Sequence, residues 1–143
     1  MLGIHMTEGW LNEHYFILFS DAEIGEASEK YGIAQSLPGF KVLGLRGWDD
    51  FLVCDAMGNT YSVPTVPLDQ QYLKEATVPQ NHSLKTDSRF KEKIKWYLKP
   101  VVFGGDANES ANLTWVSHEQ HAGLVVWWNI QYRDLKIQQA KDA

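Results

Sequence analysis

The chain has 143 residues, of which 44% are hydrophobic and 22% charged, so it can bury a core and is too apolar for a disordered protein. Its formal net charge of −5 argues against binding to the phosphate backbone of nucleic acid, because that binding needs a basic surface. The same charge suits either a basic protein partner or solubility alone. We therefore expect a single domain over residues 1–143 that makes no direct contact with nucleic acid.

The single cysteine, Cys54, excludes an internal disulfide framework and a zinc site built on paired cysteines. The first ten residues contain no basic segment followed by an apolar stretch, so we expect no signal peptide. No apolar run approaches the roughly 18–20 residues of a membrane span, so we expect no membrane contact. Together these features predict a cytoplasmic protein.

The first elements along the chain are predicted to be a strand and a helix. The aromatic and β-branched run at residues 15–19 predicts the strand. Ser20 and Glu23 have the spacing of a capping box, which predicts that a helix follows over residues 21–31. Gly32 is placed to end that helix.

Three further strands are predicted in the next part of the chain, at residues 40–45, 50–54 and 60–63. The glycine and asparagine of the short loop at residues 55–59 permit a tight turn. The second and third of these strands therefore form an antiparallel hairpin, which is the most secure local prediction.

Apolar residues recur at helical spacing over residues 88–98, so this segment is predicted to be a helix. Residues 101–103 and 113–116 predict a pair of strands. Ser117 with Gln120 forms a second capping box, and the last helix should run from about residue 118 to about residue 137. Its inner face should carry His121, Val125, Trp128, Tyr132 and Leu135. This order of elements predicts an α+β fold with a mostly antiparallel sheet flanked by helices.

His118 and His121 are the strongest signal for catalysis in the sequence. Zinc proteases place two histidines at i and i+4, and the spacing here is one residue shorter. One interpretation is a metal site in which Asp106 is the third ligand. The alternative is a solvated His118 in the first helical turn and a buried His121 in the core. The sequence has neither a nucleophile elbow nor a complete phosphate-binding loop, so we expect no enzyme and no cofactor.

A series of short segments in the first half has the order and spacing of a known family: residues 8–10, 15–24, 31, 37–40, 42–44, 47, 50–55, 58–61, 63–64 and 67–69. In these segments the chain resembles the SUKH superfamily, over about residues 9–69. That superfamily includes many bacterial immunity proteins that neutralise polymorphic toxins, and a yeast regulator of cell-wall synthesis. The resemblance implies a SUKH-like core over residues 9–98. A C-terminal strand pair plus helix would follow over residues 99–143, largely beyond the shared part.

The resemblance also implies a protein partner, in the first place a cognate toxin. Many such toxins are basic nucleases, with which an acidic inhibitor associates quickly. Aromatic anchors and carboxylates suit a basic protein face, which selects Trp10, Trp48, Asp49 and Asp50 as partner-binding residues. For Trp48 the alternative is that its ring packs onto the core.

Two other functions stay open beside the immunity protein. One is a regulatory protein-interaction module of the same fold, and the other is a metal-dependent hydrolase that uses His118 and His121. Asp49 and Asp50, as neighbours on a strand, should point to opposite faces and so form no acid/base pair. Trp127 and Trp128 fall on different sides of the last helix, so one should lie in the core and the other at the surface.

Overall fold

The computed structural model describes residues 6–142 and has the α+β fold that the sequence predicts. In the described residues the main sheet has six antiparallel strands, β1 to β6, which lie side by side in chain order. Their bounds are β1 Thr7–Leu11, β2 His14–Leu18, β3 Lys41–Arg46, β4 Asp50–Cys54, β5 Thr60–Pro64 and β6 Lys74–Glu75. A second sheet pairs β7 Ile94–Tyr97 with β8 Leu113–Val116. The helices are α1 Asp21–Lys30, α2 Ile33–Ser36 and α3 His118–Asp142.

The central strands bury side chains on both faces of the main sheet. Along β2, Tyr15 and Ile17 belong to the large core, which also contains residues of β7 and α3. Phe16 and Leu18 alternate with them and pack with Leu52 on the opposite face. The period of two in β2 therefore places one apolar set on each face, as strand geometry requires.

The local predictions around α1 are confirmed. The Ser20 N–H donates to the Glu23 carboxylate at 2.8 Å, as in a capping box. The helix ends at Lys30, and Gly32 follows with φ of 63°. This left-handed conformation suits glycine and turns the chain into α2.

Strand β1 was not predicted. It is the edge strand of the main sheet and pairs with β2 from Thr7↔Leu18 to Leu11↔His14. Its outer side is covered because Trp10 and Lys85 exchange backbone hydrogen bonds of 2.8 and 3.0 Å. The first residues of β1 are threonine, glutamate and glycine, which show no apolar alternation, so the sequence does not predict this strand.

Residues 88–98, predicted to be a helix, contain strand β7 instead. The burial of β7 alternates, with Ile94 and Trp96 buried and Lys95 and Tyr97 partly exposed. Glu92 has φ of 63°, which is incompatible with a continuous helix. The prediction is wrong because the apolar residues satisfy a strand period as well as a helical one, and β8 supplies the pairing.

Residues 101–103, predicted to be a strand, form the 3₁₀ turn Val101–Phe103 instead. Pro100 precedes the turn and Gly104, with φ of 93°, ends it. Both residues favour a turn over a paired strand. The strand at residues 113–116 is confirmed, but its partner is β7. β7 belongs to the predicted core of residues 9–98, and β8 belongs to the predicted C-terminal segment of residues 99–143. The two predicted segments therefore share one sheet.

Helix α3 begins at the predicted capping box. The Gln120 N–H donates to Ser117 Oγ at 3.2 Å, and Gln120 Oε1 accepts from the Ser117 N–H at 3.0 Å. The helix continues to Asp142, beyond the predicted end near residue 137. No helix within residues 6–142 is long and apolar enough to cross a membrane.

The predicted inner face of α3 is buried only in its first part. His121, Val125 and Tyr132 are buried, and Trp128 is half-buried against the core. Leu135 is 40% exposed, which contradicts its predicted place on the inner face. The helical period does place it near that face, but all of residues 134–141 are exposed because nothing in the described chain covers the end of the helix.

The buried Asn129 side chain ties α3 to the segment after β5. Its Oδ1 accepts from the Leu68 N–H at 2.8 Å. Its Nδ2 donates to the carbonyl oxygens of Thr65, at 2.8 Å, and Val125, at 3.0 Å. The side-chain amide of Asn129 thus supplies hydrogen bonds to backbone groups that are not paired with a neighbouring strand.

We expect Asn129→Ala to lower the free energy of unfolding by roughly 2–4 kcal/mol. The substitution leaves two buried backbone groups without a hydrogen-bond partner, and each such group costs about 1–3 kcal/mol. Urea unfolding at neutral pH measures the loss. Gln138→Ala, on the exposed part of the same helix, is the control and should change stability by less than about 0.5 kcal/mol. A loss for Asn129→Ala no larger than that of the control would show that the amide does not tie the helix down.

Candidate functional site

The loop from β3 to β4 consists of Gly47, Trp48 and Asp49. Gly47 and Trp48 have φ of 61° and 64°, which is uncommon for a bulky side chain and requires support from its surroundings. The Trp48 ring stacks on Tyr15, with centroids 5.1 Å apart, and the residue is 9% exposed. The prediction of an exposed aromatic anchor at Trp48 is therefore wrong, and the alternative of packing on the core is observed.

Trp10, the second predicted anchor, is half-buried in the same group of rings. Its ring lies 6.1 Å from that of Trp48, and its Nε1 donates to Asp87 Oδ2 at 3.2 Å. Phe90 and Trp115 complete the group, at 5.5 and 5.2 Å from Trp48. Trp115 is 42% exposed, so this group of rings extends to the protein surface at Trp115. The sequence places Trp115 in a strand but does not indicate which face it occupies, so this role was not predicted.

Asp49 and Asp50 line one cavity of about 270 Å³, together with Trp48. The sequence predicts opposite directions for these two carboxylates, and their contacts are indeed separate. Asp49 Oδ2 contacts groups of β7, whereas Asp50 Oδ2 contacts Arg46 of β3. The other walls come from the end of β5, from β7 and from the loop before β8: Pro64, Thr65, Val66, Trp96, Tyr97, Pro100, Val101 and Ala107.

Both carboxylates are already paired within the chain. The Tyr97 hydroxyl donates to Asp49 Oδ2 at 3.1 Å, and Lys95 Nζ lies 3.7 Å from the same oxygen. Burial raises the pKa of the Asp49 carboxyl above its ordinary value, although Lys95 and Tyr97 act in the opposite direction. Asp50 accepts from the Arg46 guanidinium at 3.3 Å. All these ionic groups are partly exposed, so the pairs contribute little stability and can exchange with a better partner.

Exposed apolar side chains also occur at the edge of this cavity and on α3. Val101 lines the cavity and is 54% exposed. Two residues on, the Phe103 ring lies 4.9 Å from Trp128 of α3, whose ring lies 4.8 Å from that of Trp127. Trp127 is 53% exposed. The prediction that this tryptophan pair divides between core and surface is therefore confirmed. The exposure of Val101 was not predicted, because the sequence places this residue in a strand.

His121 lies in the core at the start of α3. Its Nδ1 is 2.7 Å from the Tyr31 hydroxyl, and its ring lies 5.3 Å from that of Trp96. Burial lowers the pKa of His121 to about 3, so the ring is uncharged at neutral pH. The position of His121 therefore agrees with the alternative interpretation, in which it is a buried histidine of the core.

His118 faces different surroundings, in a cleft of about 840 Å³ that Glu8, Glu23 and Glu92 also line. Burial lowers the pKa of His118, although these three carboxylates act to raise it. Asp106, the suggested third metal ligand, instead accepts from the Asn108 N–H in its own loop at 2.8 Å. Within residues 6–142, no group of three or more His, Cys, Asp or Glu side chains is arranged to hold a metal ion.

Comparisons with known proteins identify no relative of this chain. No protein-family model matches the chain, and neither a curated protein nor a solved structure matches it. The interpretation of the site therefore depends on its own geometry, and the SUKH resemblance stays a prediction.

The buried His121 predicts a loss of stability in acid. The unfolded chain binds a proton here below a pKa near 6.5, whereas the folded chain does so only near pH 3. The free energy of unfolding should therefore fall as the pH drops from about 6.5 towards 3, by up to ~1.4 kcal/mol per pH unit from this group. Urea unfolding at a series of pH values measures the slope.

His121→Gln removes the titrating group and should flatten this slope, even though the variant is less stable overall. His82→Gln replaces an exposed histidine and should keep the slope of the parent chain. Identical slopes for His121→Gln and the parent chain would mean that the acid sensitivity comes from other groups.

Proposed function

We propose that this chain is a non-enzymatic protein-binding domain that acts as an immunity protein: it binds and neutralises a cognate bacterial toxin. The observation that carries the proposal is a group of wholly or partly exposed apolar side chains and carboxylates, which we call the docking surface. It consists of Asp49, Asp50, Val101, Val102, Phe103, Trp127 and Trp128. Exposed apolar groups beside carboxylates have the composition of a protein interface with an apolar centre and a polar rim.

The exposure of the apolar part favours a protein over a small molecule as the ligand. Val101, Val102 and Trp127 are 54%, 38% and 53% exposed. Single exposed apolar residues are ordinary on any protein, but these are linked into one patch through Phe103 and Trp128. Tryptophan is also among the residues that most often dominate binding energy at interfaces.

The charge of the chain favours a basic partner. With a net charge of −5, the chain attracts a basic protein such as a nuclease over a distance and suppresses encounters with acidic proteins. The carboxylates of Asp49 and Asp50 belong to the docking surface, so they can contribute to this attraction at the point of contact. The SUKH resemblance over about residues 9–69 supports the same class of partner.

The test begins with the tagged full-length chain as bait in extracts of its native cells, at low and moderate salt. We expect one dominant basic protein, in near-stoichiometric amount, whose toxicity on expression is suppressed by co-expression of this chain. Capture of no protein, or of a protein whose toxicity the chain does not suppress, would contradict the proposed function. A dissociation constant in the nanomolar range or below distinguishes a dedicated inhibitor from a regulatory module.

Trp127→Ala should weaken binding to the captured partner by roughly 30-fold, the effect of losing one interface anchor. Isothermal titration with the purified partner measures it. Met57→Ala is a matched control, because Met57 is 88% exposed and lies in the turn after β4, at the opposite end of that strand from Asp50. Equal affinities of the two variants would place the interface elsewhere.

A further inference from the structure

We infer that this protein forms a two-fold symmetric dimer, in which the α3 helices of two copies pack antiparallel through their solvent faces. The contact is made by one row of exposed side chains, which we call the outer stripe: Glu119, Gly123, Trp127, Ile130, Ile137 and Lys141. Such a dimer goes beyond the proposed function and does not depend on it, because the partner is a second copy of this chain rather than a toxin.

The middle of the outer stripe is apolar, although the solvent face of a surface helix normally carries charges. Ile130 and Ile137 are 39% and 55% exposed, and Trp127 is exposed to a similar degree. No charged residue lies on this stripe between Glu119 and Asp134. A narrow apolar row of this kind, with residues three, four or seven positions apart, is typical of the seam between two packed helices.

Gly123 has no reason within its own chain to be a glycine. It is exposed, and a Cβ atom added there would meet no atom within 4 Å. Glycine inside a helix is less favourable than alanine, which would fit here without a clash. On the outer stripe, however, a glycine leaves a notch that permits close approach of a neighbouring helix.

The outer stripe is symmetric about Ile130. Gly123 and Ile137 lie equally far from Ile130 on its two sides, and so do Glu119 and Lys141. When two antiparallel helices meet at Ile130, Ile137 of each copy therefore faces Gly123 of the other, and Lys141 faces Glu119. Both copies use the same surface, as a two-fold dimer requires.

The charges at the two ends of the stripe favour a second copy in antiparallel orientation. Glu119 lies in the first turn of α3 and Lys141 in the last, and neither forms an ion pair within the described residues. An antiparallel pair brings these opposite charges together, and the helix dipoles act in the same direction. The net charge of −5 on each copy opposes association at long range. Salt near 0.15 M screens that repulsion beyond about 8 Å.

The end of α3 gives the contact its length. All of residues 134–141 are exposed, and nothing in the described chain covers them. From Glu119 to Lys141 the helix extends about 33 Å at 1.5 Å per residue, so the uncovered end of each copy lies along the exposed first half of the other. The dimer also covers Trp127 of the docking surface, so a second copy and a protein partner compete for this residue.

Sedimentation velocity of the purified full-length chain, without any partner and at about 0.15 M salt, tests the dimer. We expect a reversible equilibrium between monomer and dimer with a dissociation constant in the micromolar range, because one pair of helices forms a small interface. A monomer at every concentration up to about 500 µM would overturn the inference.

Reversal of the end charges distinguishes this interface from any other. Glu119→Lys and Lys141→Glu should each weaken the dimer about tenfold, because each variant places like charges together at both ends of the stripe. An equal mixture of the two variants should associate nearly as well as the parent chain, because opposite charges then face each other again. Single reversals without effect, or a mixture that does not recover, would contradict the antiparallel contact and overturn the inference.

Gly123→Gln should change stability and dimerisation in opposite directions. The urea midpoint of the monomer should rise, because glutamine favours a helix more than glycine does. The dimer should weaken at least about tenfold, because the new side chain fills the notch. Gly25→Gln is the matched control, because Gly25 is an exposed glycine of α1 where an added Cβ also meets nothing within 4 Å. It should raise stability and leave dimerisation unchanged, and equal dimerisation of the two variants would overturn the inference.

The dimer and the proposed function can fail separately. If the purified chain dimerises as expected and no toxin is captured, the proposed function fails while the dimer stands. If the chain is monomeric and a toxin is captured and neutralised, the dimer fails while the proposed function stands.

Discussion

The stacked rings of Trp48 and Tyr15 connect the two sheets of this protein. Tyr15 belongs to β2 of the main sheet, whereas Trp115, which also contacts Trp48, belongs to β8 of the second. Because Trp48 has a positive φ, its loop keeps its shape only while these rings hold the indole in place. The next residue is Asp49, whose carboxylate reaches Tyr97 of β7. The position of the candidate site therefore depends on aromatic packing beside it.

Buried polar side chains provide further long-range ties. Glu8, which is 6% exposed, accepts from the Tyr15 hydroxyl and from the backbone of Glu92. His121 contacts the Tyr31 hydroxyl, and Asn129 holds the backbone after β5. Apart from the bond between Glu8 and Tyr15, each tie joins elements far apart in sequence. Polar groups of this kind are costly to bury without partners, so they disfavour alternative packings of the same apolar core.

The charges at the docking surface are compensated by weak, partly exposed pairs. Such pairs cost little to open, and they prevent two neighbouring carboxylates from repelling each other while the chain is alone. A partner whose cation interacts with these carboxylates more favourably than the internal cations do gains the difference in interaction free energy.

Local signals in the sequence determined a large part of this fold. The capping box before α1, the hairpin of β4 and β5 and the start of α3 were predictable, because each depends on residues within a few positions of one another. The sequence also identified Asp49 and Asp50 as candidate site residues, but it did not predict the cavity that both residues line. The division of Trp127 and Trp128 between surface and core followed from the helical period alone.

Tertiary structure decided the rest. β1 has no apolar pattern and becomes a strand because β2 and Lys85 pair with it on its two sides. The segment of β7 fits a helical period equally well, and only the backbone groups of β8 select the strand. Trp48 is buried because rings distant in sequence surround it. In each case at least one deciding partner lies many residues away, and a local pattern contains no information about which distant group will be there.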